Sequence, residues 1–266
     1  MQIIKYSWQD RKPALTIVSG RKREKMELLG SNIDMIIGSK KCIGYFRDGR
    51  HFECRASREA EDRQCNECRL EDDYFFCIRC TGEQCINQKK RDECENAFYF
   101  VYLAAFDSLL KVGISQEFRI MERLIEQGAD FGAKIARVQD GKIVRQIEQQ
   151  IRKEINIVDR VTGSQKAVNL FCNPNVSAGN IFRAITLLRS NGMARHLLPT
   201  EIYDLREHYL LHKVVTKPRN LEIDKGVRLS GNIVAAKGNI LVMRSGTDFY
   251  TVNAHGLIGR EIEFLI

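Results

Sequence analysis

Residues 97–115, "AFYFVYLAAFDSLLKVGIS", decide the fold. Ala97 to Phe106 is an uninterrupted apolar run of ten residues, too short to span a bilayer. Its aromatic and β-branched content predicts a strand. Asp107-Ser108 makes a turn, and "LLKVGIS" returns as a second strand, so the two form a hairpin. The next segment, "SQEFRIMERLIEQG", predicts a helix with Ser115 as its N-cap, Phe118, Met121, Leu124 and Ile125 as its apolar stripe and Gly128 as its stop. "AKIARVQ" reads as a third strand, ended by Asp140-Gly141. A long helix follows, with Ile143, Ile147, Ile151 and Ile155 recurring every four residues. Further helices are predicted over 177–191 and 199–213, started by Ser177 and Pro199.

The flanking segments differ in composition. Nine cysteines occur in the 266 residues, and eight of them fall between Cys42 and Cys94. A disulfide framework belongs to small secreted domains, whereas clustered thiols in a cytoplasmic chain point to metal. The N-terminus is charged and carries no secretory pattern, so a soluble, cytoplasmic protein without a membrane partner is expected. Cys65-x-x-Cys68 and Cys77-x-x-Cys80 are separated by eight residues, the pattern of two knuckles closing one structural tetrahedral zinc site. Cys42, Cys54, Cys85 and Cys94 would then form a second site, with His51 as a substitute ligand, or be buried thiols. An iron–sulfur cluster is the rival for either set. Cys172 stands alone and is expected in the core.

Hydrophobic residues make up 44% of the chain and the net charge is +8, so a core can form and an anionic partner is favoured. Basic residues around the knuckles, Lys89, Lys90 and Arg91 among them, are candidates for nucleic-acid contact. The run Arg21, Lys22, Arg23 and Lys25 reads as a solvated turn or a phosphate contact. Residues 214–266 carry short β-like runs broken at Lys237-Gly238-Asn239 and Ser245-Gly246-Thr247, which predicts hairpins. The fold class is therefore α+β in three modules: a β-rich, Cys-rich zinc-binding module at 1–96, a core of three-stranded sheet and helices at 97–213, and a small β module at 214–266.

The order hairpin, helix, strand, helix resembles the GIY-YIG endonuclease superfamily. Val101-Tyr102 resembles the end of the first signature tripeptide and Val112-Gly113 the end of the second. Arg123, followed by Leu124, resembles the helix arginine, and Glu148 the metal-binding glutamate. The whole chain also resembles a group of archaeal and bacterial proteins with a cysteine-rich module before this core and a β module after it. The resemblance implies a nuclease in which Tyr102 helps activate water, Arg123 stabilises the phosphate and Glu148 holds magnesium or manganese. Phe100 stands where the family has a glycine, and Lys111 where it has the second tyrosine. The gap from Gly113 to Arg123 is longer than the family's, which makes Arg119 a competitor.

Each residue also has a structural reading. Tyr102 would be a core aromatic, Arg123 a partner of Glu126, and Lys111 a strand-edge charge that otherwise sits near phosphate. Glu148 borders the apolar stripe, so burial obliges it to find a partner, either Arg152 or a metal ion. Arg145 would meet phosphate or Glu148, and Gly113 would allow close approach of backbone. The expectation is a divalent-metal-dependent endonuclease acting on DNA or RNA, with a catalytically silent DNA- or RNA-binding protein as the alternative.

Overall fold

A computed structural model describes residues 1–20, 22–193 and 197–265; Arg21 of the basic run lies outside them. The chain divides into two units, one of Met1–Phe75 with Leu210–Ile266, the other of Phe76–Tyr209.

The first unit opens with β1 (Gln2–Gln9), β2 (Lys12–Ser19), β3 (Lys22–Glu27) and β4 (Asn32–Lys40). Asp10 and Arg11, both at positive φ, make the tight turn between β1 and β2. Lys22, Arg23 and Lys25 fall within β3 rather than in a turn, and this strand ends the sheet. Charged side chains along an edge strand discourage pairing with another chain. A small hairpin, β5 (Tyr45–Arg47) and β6 (Arg50–Phe52), and the short helix α1 (Asn66–Glu71) follow.

The second unit begins with turns and α2 (Arg91–Asn96). The hairpin of β7 (Phe98–Phe106) and β8 (Leu109–Gln116) closes at Asp107-Ser108, with Phe106 opposite Leu109. Then come α3 (Ile120–Gln127), β9 (Phe131–Gln139), α4 (Gly141–Glu154), α5 (Gly163–Val168), α6 (Pro174–Leu188) and β10 (Ile202–Asp204). The sheet has four strands, not three, in the order β10-β9-β7-β8. Ile202 and Tyr203 join it as an edge strand on β9, where a helix over 199–213 was expected. Aromatic and β-branched residues gain more from that pairing than from helix. Val101, Leu103, Ala105 and Val112 face the core formed with Val144 and Ile151 of α4 and Ile181 and Leu188 of α6.

Local differences have local causes. Ser115 pairs with Phe100 inside β8, so it cannot cap α3, which starts at Ile120. Phe118 falls in the connecting turn and is 82% exposed. Gly128 ends α3 at φ 78, as its position predicts. In α4 the buried side runs through Val144, Glu148 and Ile151, and Ile143 points outward. α6 begins at Pro174 with Asn173 as its cap, three residues before Ser177.

Strands β11 (Arg219–Leu221), β12 (Arg228–Lys237), β13 (Ile240–Ser245) and β14 (Asp248–Asn253), the short helix α7 (Ala254–Leu257) and β15 (Arg260–Phe264) complete the first unit. The two predicted turns join β12 to β13 and β13 to β14. These strands are no separate module: β12 and β15 both pair with β4, giving a nine-stranded sheet ordered β11-β14-β13-β12-β4-β15-β1-β2-β3. The three consecutive modules expected from composition are thus two units, with the second inserted in the sequence of the first. Among the described residues no helix is long and apolar enough to cross a membrane.

Asp140 caps α4, accepting from Lys142 N at 2.7 Å, and holds Arg91 with two bonds of 2.7 Å. Hydrogen bonding from Arg91 holds the Asp140 carboxyl below its ordinary value. Asp140→Ala should therefore lower stability by about 1 kcal/mol through the lost cap, measured by urea unfolding at neutral pH. A depressed folded-state pKa stabilises above the ordinary carboxylate range and is lost as pH falls through the depressed value. The deficit of Asp140→Asn should likewise shrink in acid.

Candidate functional site

Two groups of side chains stand out, one in each unit. In the first unit the sulfurs of Cys42, Cys54, Cys65 and Cys68 all lie within 4.8 Å of one another. Cys42 follows β4, and the β5–β6 hairpin loops out and returns the chain to Cys54. The hairpin turns on Asp48-Gly49, both at positive φ, and stacks Tyr45 on Phe52 at 5.1 Å. Cys65 stands at the start of α1 and Cys68 lies inside it, so one helix terminus aims two sulfurs. The Cys65 and Gly44 N–H groups donate to the Cys42 sulfur at 3.2 and 3.4 Å. Gly44 has φ +80, and a Cβ there would stand 1.9 Å from the Phe52 carbonyl oxygen. Burial raises the Cys42 and Cys68 thiols. At Cys54 burial also raises, but backbone N–H groups of Arg58 and Ala56 outweigh it and bring the thiol down to about 7. Four convergent soft donors with N–H support can hold a metal such as zinc.

This grouping corrects the one expected from spacing. Cys65 and Cys68 join Cys42 and Cys54, whereas Cys77, Cys80, Cys85 and Cys94 belong to the second unit. The eight residues between the two Cys-x-x-Cys pairs carry the chain from one unit to the other, so adjacency in sequence misled. The missed signal was the Asp48-Gly49 hairpin between Cys42 and Cys54. His51 is not in the thiol group: its Nε2 lies 2.5 Å from the Ile43 carbonyl oxygen. Cys172 is half-buried rather than core.

In the second unit Tyr102 stands opposite Gly113, and Lys111 opposite Ala104, on the sheet face away from the main core. A Cβ at Gly113 would lie 2.5 Å from the Tyr102 hydroxyl, so the ring lies across the glycine. Tyr102, Lys111 and Glu148 are 1%, 6% and 8% exposed. Burial raises the Tyr102 hydroxyl, and the Arg123 guanidinium beside it pulls the other way. Burial, reinforced by Arg123, brings Lys111 down to about 8, with Glu148 and Asp159 opposing. Burial raises Glu148 against the pull of Arg145 and Lys111. Each of the four thus feels at least one of the others. Lys111 also donates to Gln127 Oε1 at 3.0 Å, and the Val112 N–H donates to Val158 O at 3.1 Å, which brings Asp159 and Arg160 alongside.

The other predicted contacts are dispersed. Arg119 pairs with Glu122 and Glu126, whereas Arg123 pairs with Glu126 at 3.5 Å and also acts on the Tyr102 hydroxyl. Arg145 donates to the carbonyl oxygens of Cys77 and Cys80 at 2.8 and 3.0 Å. Arg91 is held by Asp140, and Lys90 by Glu93 at 3.3 Å. Lys89 is exposed. Sequence reading missed Gln127 and Asp159, which contact the site only through tertiary structure.

A family model described as "Protein of unknown function (DUF2797)" matches residues 30–262. The chain belongs to this family. No curated protein and no solved structure matches. The DUF2797 match takes in both the thiol group and the Tyr102–Glu148 group, so both lie in what the family model describes.

Zinc bound by the thiol group should be lost together with stability when Cys65 and Cys68 are both replaced by serine. Elemental analysis and thermal unfolding of the purified full chain check this. Gly44→Ala should weaken zinc retention against a chelator, because the added Cβ collides with the Phe52 carbonyl.

Proposed function

We propose that this DUF2797 protein processes nucleic acid, its second unit hydrolysing phosphodiester bonds in DNA or RNA with a divalent metal ion at Glu148. The observation that carries this reading is the condition of Glu148. It is 8% exposed, and among the described residues it has no hydrogen bond or close ion pair. Arg152, its expected partner, bonds to Asp159 at 2.8 Å instead. An ionised carboxylate in that setting calls for a cation. Magnesium and manganese suit such a place, because they take one or two carboxylates and complete their shell with water and substrate phosphate. Bound there, such an ion would polarise the phosphoryl group and assist the leaving oxygen.

The chain's own groups supply the remainder. Arg123, against the Tyr102 hydroxyl, offers a fixed cation for the phosphate. Lys111 adds a second positive charge below its pKa of about 8. Tyr102, whose hydroxyl stays protonated, orients water by hydrogen bonding rather than by taking its proton. The resemblance to GIY-YIG nucleases agrees with these roles for Tyr102, Arg123 and Glu148. A stripe of cations and rings lies on the same sheet: Lys134 is 5.2 Å from the Phe100 ring and 5.1 Å from Tyr203, and Arg137 is 4.0 Å from Phe98. Of these, the Phe98 ring, 39% exposed, is open to a base, while Phe100 is buried and Arg137 is held by Glu117 at 2.8 Å.

A second reading, binding of DNA or RNA without cleavage, is favoured by one observation: Tyr102 is 1% exposed, so its hydroxyl is shielded from water.

Magnesium- or manganese-dependent cleavage should be abolished by Glu148→Ala and reduced by Tyr102→Phe, followed on labelled DNA and RNA by gel assay. Cleavage that survives Glu148→Ala unchanged sinks the assigned site. Salt-sensitive binding with no cleavage of any substrate establishes the second reading.

Lys111 makes a separate prediction. It is a cation below about 8 and neutral above. Binding of nucleic acid should weaken as pH rises through that value, and Lys111→Arg should remove the step, read by fluorescence anisotropy.

A further inference from the structure

Four cysteines remain outside the thiol group of the first unit: Cys77, Cys80, Cys85 and Cys94 all fall in the second unit, in the spacing Cys-x2-Cys-x4-Cys-x8-Cys. The segment that carries them has almost no interior. Across residues 76–97 the one buried residue is Gly82, and Ile78 is 78% exposed. Its regular structure amounts to turns at Cys77–Arg79 and Gln88–Lys90 and the six residues of α2. A stretch so short of apolar contacts needs another source of order.

Its polar contacts are organised around sulfur. The Asn87 side-chain amide donates to the Cys77 sulfur at 3.2 Å, and the Cys85 thiol lies 3.4 Å from the Asn87 carbonyl oxygen, so one residue links two of the four. Cys80 and Cys94 are near enough to act electrostatically on Cys77. Cys94 packs where α4 begins: a Cβ on Gly141 would stand 2.4 Å from its sulfur. A helix N-terminus favours a thiolate. The knuckle is fastened to the same helix. Arg145 donates to the Cys77 and Cys80 carbonyl oxygens, and Gln146 to Gly82 O at 2.9 Å. Gly82 itself has φ +88 and meets Lys142 O, with space for no side chain.

We propose that Cys77, Cys80, Cys85 and Cys94 form a second zinc site, in which four thiols release their protons to solvent and bind a divalent zinc ion as thiolates. These sulfurs are less closely gathered than the first four, which alone among the described residues lie within 4.8 Å of one another, so the metal draws this segment together. The site fixes α4 at Arg145, three residues before Glu148, and it stands independently of the nuclease reading.

The test uses the full chain purified with zinc. Elemental analysis should find two zinc ions per chain, falling to one in Cys77→Ser with Cys80→Ser and to one in Cys65→Ser with Cys68→Ser. Alkylation of the wild-type chain read by peptide mass spectrometry does not depend on a variant folding. Cys77, Cys80, Cys85 and Cys94 should resist modification in the zinc-loaded protein and react after chelation, with Cys172 reacting in both states. One zinc per chain, iron with sulfide in its place, or labelling of these four at the rate of Cys172 with zinc bound would each overturn the proposal.

Discussion

The second unit depends on the Tyr102 ring lying across Gly113. The pair sits directly opposed in an antiparallel hairpin, and the ring occupies the space a Cβ would need. Side chains alternate faces along a strand, so this contact fixes more than one position. With Tyr102 over Gly113, Val101, Leu103 and Val112 must face the core under α4 and α6. Lys111, two residues from Gly113, must share the Tyr102 face. A slip of one residue in β8 would turn Lys111 into the apolar core and Val112 out of it, so the register that buries the core also assembles the site.

That logic explains what the sequence made legible. The hairpin closed by Asp107-Ser108, the stop at Gly128 and the α4 helix rest on contacts between near neighbours, and local pattern describes such contacts well. Even there, one competing strand residue was enough to shift an element. Ser115 has the chemistry of an N-cap, yet its backbone is taken by the ladder with Phe100. Ile202 and Tyr203 sit in a stretch with helical spacing, yet β9 offers an open edge. In both cases pairing with another strand overrode local preference.

The cysteines illustrate the larger limit. A Cys-x-x-Cys pair is a local signal, and Cys65 and Cys68 do lie in a thiol group that could hold a metal ion. Which second pair completes the tetrahedron is a question of tertiary structure. Cys42 and Cys54 are twelve residues apart around a hairpin, and that hairpin lies in the same unit as α1. Cys77 is closer in sequence to Cys68 than Cys54 is, but it belongs to a unit with its own sheet. The same holds for the termini. β15 lies beside β4 and β1 in the nine-stranded sheet although more than two hundred residues separate them in the chain, which no compositional boundary at residue 214 can foresee.

The Tyr102 group poses a physical problem whose solution bears on its purpose. Lys111 and Glu148 are both nearly buried, and each costs free energy to remove from water. Direct pairing would recover part of that cost, yet Lys111 bonds to Gln127 and Arg152 bonds to Asp159, leaving Glu148 with only longer-range attraction. A fold selected for stability alone would replace such a set with apolar side chains of similar volume. Charges that are desolvated, near one another and not satisfied by one another are the arrangement of a site prepared for a ligand. A phosphate suits the cations Lys111 and Arg123, and a divalent ion suits Glu148. On the function proposed above, a metal-bridged phosphate would satisfy both halves at once.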